Sequence, residues 1–265
     1  MPKSGQMTHM TTEEWRKILL GIHPGLYRRR RLYRLLPSSP RCKLCNAPFG
    51  GVGSILMKFI GRGPYSKNPH FCGACLIDTE VGGVEIELSM LFADVRGSTS
   101  LAETMSPSEF SQLMNHFYAI ATDVLLESEA FIDKLVGDEV IGLYIPGFSG
   151  YQHARLAVQA AQKLSRVMSK ESHNGPGLPI GIGVHTGIAY VGLVGTQGGI
   201  SDLTALGDAM NTAARLVSEA GAGEVLISDA AYDSSGLTLN NLEHRQLDLK
   251  GKSESISARV IKASG

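Results

Sequence analysis

Two kinds of residue in this 265-residue sequence could do chemistry: four cysteines in two C-x-x-C pairs, and two aspartates at the ends of apolar runs. The pairs are Cys42-Lys43-Leu44-Cys45 and Cys72-Gly73-Ala74-Cys75. Each can grip one metal ion, and together they complete a tetrahedral site of four thiolates. The 26 residues between them exceed the roughly 15–20 of a zinc ribbon. That gap holds Gly50, Gly51, Gly53, Gly61, Gly63, Pro64 and Pro69, so it reads as loop around a short apolar insert, Ile55 to Ile60. The expected ion is one structural zinc per chain. An iron–sulfur cluster on the same four thiolates is the rival, and a redox dithiol the third reading. His70 stands near but is not expected to be a ligand. Because all four cysteines lie between positions 42 and 75, a metal is favoured over a disulfide framework.

The aspartates belong to a different chemistry. Phe131 to Tyr144, FIDKLVGDEVIGLY, is two apolar runs around Gly137-Asp138, a hairpin signal. An acidic residue at such a corner is ordinarily turn chemistry. Asp94, however, ends the apolar run Leu88 to Ala93. Two strand-end carboxylates that meet would suit a hard divalent cation. After Asp94 comes Val95-Arg96-Gly97-Ser98-Thr99, a glycine turn whose backbone N–H groups can meet phosphate. Asn211 and Arg215 stand four apart on an alanine-rich helix and share a face. They could address one anion, although an exposed pair is the ordinary reading.

Several elements must position these residues. Val84, Ile86, Leu88 and Met90 alternate into a strand that becomes fully buried. Ser106-Pro107-Ser108-Glu109 is a capping box that opens a helix with a core stripe from Phe110 to Leu125. A second helix is expected from about Gln152 to Met168. Ile180 to Gly187 reads as a strand and turn, with Ala189 to Val194 pairing back. A helix over Ala209 to Ala220, a strand at Val225 to Ile227 and a final hairpin, Leu247 to Lys252 with Ile256 to Ile261, follow. The order is α+β, the split βαββαβ arrangement with extra strands.

Hydrophobic content of 43% supports a real core, and a net charge of zero gives no global pull toward nucleic acid or membrane. The charge is uneven: the first 45 residues hold ten Lys or Arg against Glu13 and Glu14. Thr11-Thr12-Glu13-Glu14 can start a helix running to Leu20, and Tyr27 to Leu36 a second with Leu32, Leu35 and Leu36 on one side. The arginine run is more often a solvated face than a phosphate patch. This basic arm could contact an acidic partner or its own domain. No apolar run approaches the roughly 20 residues of a membrane span, and no secretory signal opens the chain. A soluble, cytoplasmic protein is expected, with a basic helical arm (1–40), a four-cysteine module (41–80) and a larger domain (81–265).

The segments LFADVRGST, DKLVGDEVIGLY, IGIGVHTG and LGDAMNTAARL, with LKGK downstream, resemble in their order the class III nucleotidyl cyclases, over residues 84 to 262. The resemblance implies an α+β, ferredoxin-like cyclase domain that converts ATP to 3′,5′-cyclic AMP and pyrophosphate. It implies that Asp94 and Asp138 hold two Mg2+ or Mn2+ ions, that Asn211 orients the ribose, and that Arg215 stabilises charge in the transition state. Lys250 matches a lysine that contacts the terminal phosphates. Base choice falls on Lys134 and Thr204, a pairing that resembles adenylate rather than guanylate cyclases. Thr204 in place of Asp resembles the subgroup activated by bicarbonate. In the family the site forms between two subunits, which implies a head-to-tail homodimer. One departure is Ile188, where many relatives place a polar or basic residue, so a phosphate contact from that position is missing. Alternatives are a cyclase for GTP or a pyrimidine nucleotide, and a weakly active nucleotide-binding regulatory module. The Val136-Gly137-Asp138-Glu139-Val140 run faintly echoes diguanylate cyclases, but their paired glycine is absent.

Overall fold

A computed structural model describes residues 10–76, 81–174, 178–196, 201–240, 242–248 and 255–262. These fall into two compact units: the chain up to Ile86 together with Tyr190–Thr204, and Glu87–Ala189 together with Ala205 onward.

In the first unit, helix α1 (Thr12–Leu19) is capped as its sequence predicts. The Glu14 N–H donates to the Thr11 hydroxyl at 3.2 Å, and the Thr11 N–H donates back to the Glu14 carboxylate at 2.8 Å. Helix α2 (Pro24–Tyr33) starts three residues before the expected Tyr27. Proline fits the first turn because it has no N–H to lose there, and the His23 ring caps the Gly25 N–H at 3.1 Å. The buried side chains are therefore Leu26 and Tyr33, while Leu32 and Leu35 face water. Arg30 of the basic run donates to the carbonyls of Leu44, at 2.8 Å, and Lys43, at 3.1 Å. The gap between the cysteine pairs is not all loop: it contains helix α3 (Gly51–Phe59). A short helix, α4 (Gly73–Leu76), holds the last cysteine.

Most of a mixed sheet lies in the larger unit, while its residues Gly82–Ile86, Tyr190–Gly195 and Ser201–Thr204 fall in the first. Its strands are β1 (Gly82–Val95), β2 (Phe131–Val136), β3 (Glu139–Tyr144), β4 (Ile180–Gly195), β5 (Ser201–Leu206), β6 (Glu224–Ser228), β7 (Glu243–Leu247) and β8 (Ile256–Lys262). They lie in the order β2-β3-β1-β4-β6-β8-β7, with β5 paired to β4. The helices are α5 (Ser98–Thr104), α6 (Pro107–Glu127), α7 (Pro146–Ser149), α8 (His153–Asn174), α9 (Asp208–Glu219) and α10 (Asp229–Ser235). Phe117, Leu125, Leu164, Ile182 and Val184 are buried in the core beside Tyr144. Each such side chain contributes about 1.5–3 kcal/mol by leaving water. A polar knot sits within this core. The Ser89 hydroxyl of β1 meets Thr186 of β4 at 2.6 Å and the His153 ring of α8 at 2.9 Å.

Besides the helix in the cysteine gap, two expectations are overturned. The final hairpin's first strand is β7, earlier than the Leu247–Lys252 read from the sequence, of which 249–252 lie outside the described residues. The strand, turn and returning strand read over 180–194 are a single 16-residue strand, β4. Gly187 does not turn the chain because it keeps an extended backbone rather than a positive φ. The glycines of β4 have another use. Gly181 and Gly183 lie two apart, on one face of the strand, and α9 rests against them. A Cβ on Gly183 would stand 2.5 Å from the Val217 nitrogen and 2.9 Å from the Ala213 carbonyl. We expect Gly183→Ala to destabilise the fold by about 1–3 kcal/mol through overpacking against backbone that cannot yield. Urea denaturation measures this. Gly63→Ala, where the added Cβ meets only the Lys58 stem at 3.9 Å, should be close to neutral.

Candidate active site

Antiparallel pairing of β1 with β3 sets Asp94 directly opposite Glu139. The β2–β3 corner then brings Asp138 to the same place. Gly137 takes φ +62° at that corner, a conformation glycine adopts without strain. The Val95 N–H donates to the Asp138 carbonyl at 3.1 Å. The Ser98 hydroxyl donates to the Asp138 carboxylate, and the Tyr118 hydroxyl of α6 donates to the Gly137 carbonyl. Thus strand β1, helix α5 and helix α6 all hold the hairpin tip.

Three carboxylates meet here. Partial burial raises the Asp94 pKa, Arg96 works against that by ion-pairing with it, and Asp138 adds to it. Glu139 is pushed up to about 7, first by burial and then by the charges of Asp94 and Asp138. A cluster of oxygen donors that resists its own ionisation fits a hard divalent cation, whose charge relieves the repulsion. Asp94 and Asp138 are the expected pair. Sequence reasoning missed Arg96, Ser98 and Glu139. Arg96 follows Asp94 by two residues, which in extended chain means the same face. Glu139 became legible only with the strand register. Arg96 also reaches across the unit: its N–H donates to the Pro179 carbonyl at 2.7 Å and its guanidinium to the Ser218 carbonyl, at the end of α9, at 3.4 Å.

The other expected residues occupy separate elements. Lys134 is exposed on β2, just past a bulge between Ile132 and Lys134 that buries Asp133 completely. Thr204 is buried on β5, and its hydroxyl has no hydrogen-bond partner among the described residues. Asn211, exposed, and Arg215, half-buried, lie one turn apart on α9. Among the described residues, no hydrogen bond or ion pair joins Asn211 or Arg215 to Asp94 or Asp138. Ile188 is exposed on β4. Lys250, assigned to phosphate contact, lies outside the described residues.

The cysteines do converge. The sulfurs of Cys42, Cys45, Cys72 and Cys75 all lie within 4.8 Å of one another. Cys45 and Cys72 are 3.7 Å apart, and the Cys72 N–H points at the Cys42 sulfur at 3.3 Å. Thiols this close cannot titrate independently. Hydrogen bonds from Cys42 favour thiolate at Cys45 and Cys72 and raise Cys42 in return, while Cys75 is raised first by its contact with Cys42. Arg62 places a guanidinium nitrogen 3.7–3.8 Å from the sulfurs of Cys45, Cys72 and Cys75. Nothing in the spacing of the sequence pointed to Arg62.

Glu139 gives the carboxylate cluster a testable signature. Its proton is held more tightly in the folded chain, at about 7, than at the ordinary 4.5. Its contribution to stability is therefore full below the ordinary value and is lost as pH rises through 7. Glu139→Gln removes that loss. Measured by denaturation in a divalent-ion chelator, the variant should gain on the native chain as pH rises from 5 to 8. Parallel pH profiles for the two proteins would show that Glu139 is ordinary.

Comparison with known proteins places this geometry. The family described as "Adenylate and Guanylate cyclase catalytic domain" matches residues 85–260. An adenylate cyclase of Anabaena cylindrica is 31% identical over 194 residues, covering 69% of this chain but 38% of its own length. The human atrial natriuretic peptide receptor 2 is 29% identical over 171 residues, 63% of this chain and 16% of its own. Among solved structures, the adenylyl cyclase CyaB from P. aeruginosa aligns with TM-score 0.60 and 28% identity, over 68% of this chain and 96% of that one. The guanylyl cyclase Cya2 shares the fold, with TM-score 0.63 at 24% identity, over 69% of this chain and 95% of that one. The family match covers two thirds of the sequence and contains both strand-end aspartates, and the protein belongs to the class III adenylate and guanylate cyclases.

Proposed function

We propose that the chain is an adenylate cyclase, converting ATP to 3′,5′-cyclic AMP and pyrophosphate in a head-to-tail homodimer. The observation that carries this is the β2–β3 hairpin, which sets Asp138 beside Asp94 while leaving Lys134 exposed on the same two-strand unit. Relatives named adenylate cyclase support the choice of base. So does the donor set: Lys134 can only donate, which suits the N1 acceptor of adenine and not the protonated N1 of guanine. The Thr204 hydroxyl, without a hydrogen-bond partner among the described residues, can accept from the exocyclic amine.

Asp94 and Asp138 are the residues that would hold two Mg2+ or Mn2+ ions, which when bound acidify the 3′-hydroxyl and neutralise the triphosphate. Asn211 orients the ribose so that the 3′-oxygen lies in line with the α-phosphorus. As the new bond to phosphorus forms, the bond to the bridging oxygen breaks and pyrophosphate leaves with the electron pair. The 3′-hydroxyl proton passes to solvent. Arg215, one helical turn from Asn211, offsets the charge that builds on the α-phosphoryl oxygens. In the dimer one subunit supplies the aspartates, and the other supplies Lys134, Thr204, Asn211 and Arg215. No helix among the described residues is long and apolar enough to cross a membrane.

Incubating the full chain with each of the four nucleoside triphosphates and Mn2+ should give cyclic AMP from ATP as the main product. Cyclic GMP in its place would overturn the choice of base, and no cyclic product at all would sink the enzyme. The shared site has its own test. Asp94→Ala and Arg215→Ala should each lose at least about 100-fold in rate. Mixed and allowed to re-assort, they should recover about a quarter of native activity, because half the dimers then carry one intact site. No recovery on mixing would place the whole site within one subunit.

A further inference from the structure

We propose that Cys42, Cys45, Cys72 and Cys75 hold a single zinc ion in a closed tetrahedral thiolate site, with Arg62 as its outer-sphere cation. The proposal stands on the cysteine module alone and does not depend on the cyclase reading.

Sulfur spacing separates a single ion from an iron–sulfur cluster. A zinc–sulfur bond of about 2.3 Å in a regular tetrahedron gives sulfurs about 3.8 Å apart. Cys45 and Cys72 are 3.7 Å apart, and all four sulfurs fall within 4.8 Å. A two- or four-iron cluster would bind these thiolates on different irons. Their separation would then include the width of the cluster as well as two iron–sulfur bonds, and the observed spacing leaves no room for that. A redox dithiol would use two sulfurs and leave the convergence of the other two without a cause.

The backbone shapes both halves of the site. After Cys45 the chain turns at Asn46, which takes φ +68°, a conformation that asparagine tolerates. The Asn46 N–H returns to the Cys42 carbonyl at 2.8 Å. In the second half the Cys75 N–H closes on the Cys72 carbonyl at 3.0 Å, and the Lys43 N–H bonds the His70 carbonyl at 2.9 Å, tying one knuckle to the other. Cys42, Cys45 and Cys72 are buried and Cys75 is partly covered. Four protein donors complete the coordination, so the site is structural and keeps no position for substrate.

Four thiolates around Zn2+ carry a net charge of minus two. Arg62 lies against three of the sulfurs, and its guanidinium also sits over the Tyr33 ring, 5.7 Å from the centroid. It therefore halves the buried excess charge and ties α2 to the ion. A module whose buried apolar residues beside the cysteines, among those described, are as few as Leu44, Ala47, Met57, Phe71 and Leu76 needs such a staple to fold.

The test is metal analysis of the purified full chain, with cobalt substitution and chelator competition. The expected result is one zinc per chain, no acid-labile sulfide, and the absorption bands of tetrahedral cobalt thiolate when Co2+ replaces zinc. Arg62→Gln should release zinc to a competing chelator about 10-fold more readily, and Arg62→Lys should recover part of that loss. Iron with labile sulfide, iron without sulfide, or a chain that holds no metal would each overturn the zinc assignment. Unchanged zinc retention in Arg62→Gln would remove Arg62 from the site.

Discussion

The register between β1 and β3 is the constraint on which the site depends. Asp94 faces Glu139 across the antiparallel pair, and the hairpin corner one residue away delivers Asp138. A slip of one residue would send every side chain of β3 to the opposite face. It would turn Val140, which is fully buried, away from the core it packs into and move Glu139 from the place it shares with Asp94. Both faces of β3 are buried, but Val140 and Tyr144 join the main core while Ile141 and Leu143 do not, and this unlike packing of the two faces fixes the position of the carboxylates. Stability and site geometry are set by the same residues, and the contacts from Val95, Ser98 and Tyr118 to the tip add to a register the core already imposes.

Much of this was legible in the sequence, for definite reasons. The capping boxes at Thr11 and Ser106 announce their helices because the donors they satisfy are local. The Gly137-Asp138 corner is equally local. The four cysteines pointed to each other because ligand spacing is short-range chemistry. What stayed hidden was long-range. Arg62 reaches the thiols from just beyond α3, its N–H held by the Met57 carbonyl, and a helix at Gly51–Phe59 was masked by glycines that usually signal loop. Arg96 and Glu139 joined the carboxylate cluster through strand pairing, which no window of sequence contains. The misread turn at Gly187 has the same origin. Glycine suggested a reversal, but its neighbours on β4 are small because other parts of the fold press against them.

Helix α9 shows how packing and chemistry share one element. Its buried face, with Ala213, Leu216 and Val217, lies against the strand through the gap that Gly183 leaves. Its other face carries Asn211 and Arg215. Alanine-rich sequence keeps the helix close to β4, and closeness fixes where the polar face points. The glycines of β4 are thus positioning residues for side chains they never touch.

The ion pair between Arg96 and Asp94 has a consequence for how any cation would arrive. A carboxylate already matched with a guanidinium is not an empty charge waiting for a partner. A divalent ion that takes Asp94 must exchange places with Arg96 or share the carboxylate with it. Entry is then a competition between two positive groups, one tethered and one free. The tethered one also donates to the Ser218 carbonyl, and its backbone N–H is held by Pro179. Arg96 thereby joins the strand ends to the last turn of α9, the helix that carries Arg215.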